Sequence, residues 1–127
     1  TPYRPEGWTV RQVIHHLADS HMNAFIRFKL ALTESNPTIT PFDESLWADL
    51  PDGKKSPIDS SLKIIEGLHF RWTALLNSLS EDQFQRTYFH PDHGKKWTLE
   101  NVLALYSWHS SHHLAHITSL KDRMNWN

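Results

Sequence analysis

Apolar residues recur at helical spacing over three long stretches of the chain, separated by polar, proline-bearing connections. In the first stretch Val10, Val13, Ile14, Leu17, Ala24, Phe25, Phe28 and Leu32 form one stripe at about 100° per residue. Thr9 stands where an N-cap belongs. Gln12, three residues on, completes a capping box, and Trp8 holds the staple position beside it. The pattern predicts a helix over 9–34 that stops at Asn36-Pro37, because proline disfavours helical geometry in the residue before it. The second stretch opens at Asp59 or Ser60 and predicts a helix over 60–79, with Leu62, Ile65, Leu68, Trp72, Leu75, Leu76 and Leu79 recurring. Ser80-Glu81-Asp82-Gln83 then starts a short helical turn by the same capping logic. In the third, 98–123, Thr98 is the N-cap and Leu99, Val102, Tyr106, Ile117 and Leu120 share one sector.

Between these stretches the pattern is weaker. Residues 35–58 are rich in Pro, Asp, Ser and Thr and read as a long surface connection, with a turn of helix at 44–49. A connection of that length in a compact domain is usually functional or mobile. Asp43, Glu44 and Asp49 could direct an acidic group from it into a nearby cleft. Residues 88–96, with His90-Pro91-Asp92-His93-Gly94, read as a turn-bearing loop, and no alternating β-branched run predicts a strand. The expected fold class is all-α: one domain over 1–127, its three long helices packed as a bundle. A fourth helix before Thr1 would complete the usual square.

Composition narrows the function. A formal charge of −1 over 127 residues gives no electrostatic footprint for nucleic acid or anionic lipid. No apolar run reaches membrane-spanning length and nothing resembles a signal peptide, so neither nucleic acid nor a membrane is expected as partner. The absence of cysteine excludes thiolate ligands and disulfides, and it fits a cytoplasmic protein. Against that plain background, ten histidines and six tryptophans are a heavy load.

Four of the ten histidines fall in the third stretch: His109, His112, His113 and His116. His113 lies near the middle of its apolar sector and His109 one turn earlier at the flank. Two imidazoles at i and i+4 can close on one ion, which is why His-x-x-x-His suits divalent metals. His112 and His116 form a second such pair; His112 points away from the apolar centre, while spacing alone leaves His116 open. A site needs a further ligand from elsewhere, and the first stretch offers His15, His16 and His21. Periodicity puts His21 near the apolar centre, His16 toward the edge and His15 outside, so by pattern His21 is preferred. Three imidazoles with open positions for water would be a catalytic rather than a structural arrangement.

The segment Gly7-Trp8-Thr9-Val10-Arg11-Gln12-Val13-Ile14-His15-His16-Leu17-Ala18-Asp19 resembles the first-ligand segment of the DinB-like superfamily, closest to its YfiT branch. Tyr106-Ser107-Trp108-His109-Ser110-Ser111-His112-His113 is similar to the second-ligand segment of that branch, and the likeness extends over essentially the whole chain. The branch is described as metal-dependent hydrolases, bacillithiol S-transferases among them. The resemblance implies an up-down four-helix bundle whose first helix is absent from this chain, and a homodimer. It also implies one divalent ion, zinc or nickel, on His16, His109 and His113. The motif thus overrides periodicity in choosing His16 over His21. An ion on three neutral imidazoles can activate water for hydrolysis or a low-molecular-weight thiol for S-transfer to a small-molecule substrate. A non-enzymatic metal-binding module is the contrasting class. Around the ligands, Asp19, Asp43, Glu44, His90 and Tyr106 are candidates to orient an imidazole or meet substrate.

Overall fold

The computed structural model describes residues 8–105, and α1 (Val10–Thr33) is the element the rest packs around. It starts where the capping box places it. The Gln12 backbone N–H donates to the Thr9 hydroxyl at 3.1 Å, and the Thr9 backbone N–H donates to Oε1 of the Gln12 side-chain amide at 3.1 Å. The other half of the Gln12 amide donates to the Ala48 carbonyl at 3.0 Å, so one side chain caps α1 and anchors the connection that follows. The far end of α1 has no basic residue in its last turn. Arg86 supplies the missing donors from a distance, Nε to the Ala31 carbonyl and a terminal nitrogen to the Glu34 carbonyl, both at 2.9 Å. Asn36 then takes a left-handed backbone (φ 44°), a conformation its short amide tolerates, and turns the chain into Pro37.

The connection is more structured than its composition suggests. It holds α2 (Glu44–Ala48) and α3 (Pro51–Lys55), both packed on α1. The first of these is the turn expected at 44–49; the second is not foreseen. Gly53 makes their close approach possible, since a Cβ there would lie 2.8 Å from the Ala48 carbonyl oxygen. Trp8, Val13 and Ala48 bury one another at this junction. The chain then enters α4 (Asp59–Ser78). His15 of α1 meets Ser61, His21 meets His69 and Phe25 meets Trp72, so contacts advance together along both helices. The two long helices therefore run parallel, joined by a crossover rather than alternating in direction. Leu62, counted in the apolar stripe of α4, is exposed, and Phe70 projects outward.

After α5 (Glu81–Phe84), which carries the capping box expected of Ser80 and Gln83, the structure corrects the expectation of a strand-free chain. β1 (Thr87–His90) and β2 (Lys95–Thr98) form an antiparallel hairpin pairing Tyr88 with Trp97 and His90 with Lys95. Gly94 (φ 62°) makes the turn between them. Each strand has four residues, too few for alternation to rise above noise. Phe89 of β1 also pairs with the connection: its N–H donates to the Pro37 carbonyl at 2.8 Å, and its carbonyl accepts the Ile39 N–H at 3.0 Å. A last helix, α6, is described over 99–105, and the Thr98 hydroxyl caps it by accepting the Asn101 N–H at 3.1 Å.

The main core gathers Ala24, Phe25, Phe28 and Ala31 of α1 with Ile39, Trp72, Tyr88, Leu99 and Val102. Trp72 is its hub, with Phe25 and Phe28 meeting its ring edge-on at 5.8 and 5.2 Å. Burying a side chain such as Phe28, which has no exposed surface, contributes roughly 1.5–3 kcal/mol. Among the described residues no helix is long and apolar enough to cross a membrane.

Candidate metal centre

The three histidines of α1 lie within two turns of one another, and each is buried. Their surroundings differ. His15 corrects the periodicity, which places it outside: the start of α4 and the end of α3 cover it. Its Nε2 lies 2.9 Å from the Ser56 carbonyl, an acceptor only, so that nitrogen carries the proton. Its Nδ1 is then the acceptor for the Ser61 hydroxyl, itself buried. Both ring nitrogens are committed, and His15 ties α1 to the crossover.

His21, the choice of periodicity, points its Nδ1 at Nε2 of His69, 3.1 Å away. The two rings stack at 5.1 Å, and the edge of Trp72 closes the far side at 6.1 Å. His69 is exposed on α4 and was not singled out by any sequence pattern. Only the parallel pairing of α1 and α4 brings it to His21, and no local spacing signals that. His16, the choice of the motif, is buried on α1 with the Trp8 ring tilted over it at 5.0 Å. It thus sits beside the junction of Trp8, Val13 and Ala48.

Asp19 lies one turn beyond His16 and is partly buried. Burial raises its pKa above the usual carboxylate value, the nearby Asp52 raises it further, and His15 opposes both. Asp43 is an N-cap, accepting the Leu46 N–H at 2.9 Å, and Glu44 beside it is exposed. Asp49 is exposed as well, 4.0 Å from the Lys54 ammonium, a surface pair of little energetic weight. His90 ends β1 at the hairpin turn, stacked on His93.

His109, His112, His113, His116 and Tyr106 lie outside the described residues. Among the described residues no three His, Asp or Glu side chains converge as a metal-binding group. The described part of the candidate site is therefore His16 with Trp8 and Asp19 nearby. Its chemistry suits a metal of the N-donor type: a buried imidazole on a rigid helix, in a chain without cysteine.

Comparison with known proteins places these features in context. The family model of the DinB superfamily matches residues 1–117. A protein of Bacillus subtilis (strain 168) named "Putative metal-dependent hydrolase YfiT" is 59% identical over 126 residues, which is 99% of this chain and 71% of that protein. A "Putative metal-dependent hydrolase" of Bacillus cereus (strain AH820) is 58% identical over 126 residues, 99% of this chain and 72% of its own length. A solved structure of YfiT from Bacillus subtilis superposes with a TM-score of 0.93 at 58% identity, over 100% of this chain and 73% of that one. That protein is described as "a probable metal-dependent hydrolase with an unusual four-helix bundle topology". The parallel α1 and α4 are this chain's own departure from simple alternation.

Proposed function

The chain belongs to the DinB superfamily, and on that premise we propose that it is a metal-dependent hydrolase whose divalent ion, zinc or nickel, is held by His16, His109 and His113. The observation that carries this reading is the burial of the His16 imidazole on the central helix, under Trp8, in a chain whose relatives bear that name. Imidazole donors suit both ions, and fewer ligands than the ion accepts leave room for substrate. Such an ion, when bound, brings the pKa of a water molecule down toward neutrality and so supplies the nucleophile.

The chain's own residues divide the remaining work. α1 fixes the direction of the His16 ring, because the capping box sets where the helix begins and the His15 clamp sets its rotation against α4. Trp8 shields one side of that ring from water. Asp19 stands one turn on, and its raised pKa is the direction that suits a group accepting a proton near neutral pH.

The test is elemental analysis of untagged protein after exhaustive dialysis, paired with turnover of ester, amide and epoxide substrates in added Zn²⁺ or Ni²⁺. One ion per chain, lost together with turnover in His16→Ala and in His113→Ala, is the expected result. An ion retained by His16→Ala would overturn the ligand assignment, and an ion bound with no turnover would overturn the enzyme. Turnover that requires an added thiol would move the reaction to S-transfer.

A further inference from the structure

We propose that the β1–β2 hairpin is an acid-sensitive latch, held closed by the stacked imidazoles of His90 and His93 only while His90 is uncharged. The two rings lie nearly parallel, 10° apart with centroids at 4.1 Å, and His93 meets the edge of Trp97 at 6.0 Å. Strand register explains the grouping. Tyr88 pairs with Trp97 and His90 with Lys95, so these four side chains share the hairpin face on which Tyr88 is buried.

The decisive atom is Nδ1 of His90, which is buried and meets no hydrogen-bond partner among the described residues. A neutral lone pair sealed there costs less than a proton there, which would be a buried donor on a charged ring without an acceptor. The neutral ring therefore keeps its hydrogen on Nε2, and ionising the ring forces the proton onto the wrong atom. The charged groups around it make this worse. His93 lies in the turn, Arg27 comes from α1, and Lys95 stands directly across the strand pair. Among the described residues Asp92, in the turn, offers the opposite charge. Burial, then His93, then Arg27 hold the His90 pKa below the ordinary histidine value, with Asp92 opposing.

The sign follows from linkage. A histidine with a lowered pKa in the closed hairpin stabilises that state fully above the ordinary value of about 6.5. The contribution is lost as pH falls from there through the lowered value. What opens with the hairpin matters more than the hairpin itself. Phe89 holds the connection at Pro37 and Ile39, while Thr98, the last residue of β2, caps α6. The sequence continuing from α6 carries His109 and His113. Acid would thus loosen the capped start of α6.

The experiment is a pH titration of the full chain with isotope-labelled histidine rings, followed by NMR together with hydrogen exchange at the Phe89 and Ile39 amides. His90 is expected to titrate below the ordinary range. After correction for intrinsic rates, both amides are expected to exchange several-fold faster near pH 5.5 than near pH 7.5. His90→Phe, which keeps a ring to stack but cannot ionise, should abolish the acceleration, and His93→Phe should shift the His90 titration upward. A His90 titration at or above the ordinary value would overturn the latch. So would an unchanged acid acceleration in His90→Phe; if that variant does not fold, the titration in the unaltered chain decides alone.

Discussion

Adjacent histidines on α1 should fail in opposite ways when removed. His15 makes two hydrogen bonds, a partly buried one to the Ser56 carbonyl at 2.9 Å and a buried one to the Ser61 hydroxyl, each joining α1 to residues more than forty positions away. His15→Ala leaves a buried hydroxyl and a carbonyl without partners and opens space for the lost ring. At about 1–3 kcal/mol for each orphaned group, discounted because the Ser56 end is only partly buried, the expected cost is roughly 2–4 kcal/mol. In a domain of this size that lowers Tm by roughly 7–15 °C. His15→Asn, whose amide reaches only the near partner, should recover about half of it. His16→Ala makes the opposite prediction: its defining effect is that ion stoichiometry falls to zero, and the metal-free protein is destabilised less than by His15→Ala. Urea denaturation of metal-free protein and elemental analysis of each variant read the two effects separately. If His15→Ala loses the ion while its metal-free stability matches wild type, the division of labour between these neighbours is refuted.

Arg86→Ala should cost about 2 kcal/mol in urea denaturation, because it removes the donors to two carbonyls at an α1 terminus that has no basic residue of its own. Arg86→Lys should restore only part of this, since an ammonium cannot span both carbonyls as the planar guanidinium does; full rescue would refute the two-bond reading. Asp19 should show the opposite pH dependence to His90. Its pKa is raised in the fold, so the ionised carboxylate opposes folding above the ordinary carboxylate value, and the penalty disappears as acid protonates it in both states. Asp19→Asn should therefore raise the urea midpoint at neutral pH and leave it unchanged below about pH 3; equal midpoints at both would refute the assignment.

The parts of the fold legible in the sequence are those decided within four residues. Thr9 with Gln12, Ser80 with Gln83, and Thr98 each announce a helix start, and the structure begins α1, α5 and α6 there. A cap is a local contract between a side chain and an amide three residues on, so sequence spacing expresses it fully. α3 has no such side-chain cap; it rests on Leu50 and Pro51 and on the room Gly53 leaves against Ala48. The hairpin is equally hidden, since its register depends on Gly94 and on a bridge from Phe89 to Thr38 across fifty residues of chain.

The candidate site was harder to read for a related reason. A hydrophobic stripe reports the direction of one packing partner, and among the described residues α1 packs against several, α2, α3, α4 and β1 with them. Residues 12–16 are buried without a break, so around that turn there is no outside for a polar residue to occupy. Periodicity then ranks His15, His16 and His21 by their angle to α4 alone, and that angle has no bearing on which imidazole is available to a metal. What holds His15 and His21 lies far along the chain. His15 is held by Ser56 at the end of α3 and Ser61 of α4, 41 and 46 residues away, and His21 by His69 of α4, 48 residues away. Each of these partners is distant in sequence, so no local pattern can disclose that the ring is taken. The His-Leu-Ala-Asp motif selects His16 without that knowledge because it draws on likeness to other chains rather than on geometry. The structure shows what His15 and His21 already do in the fold, joining α1 to Ser56, Ser61 and His69; the choice of His16 as a ligand rests on the motif.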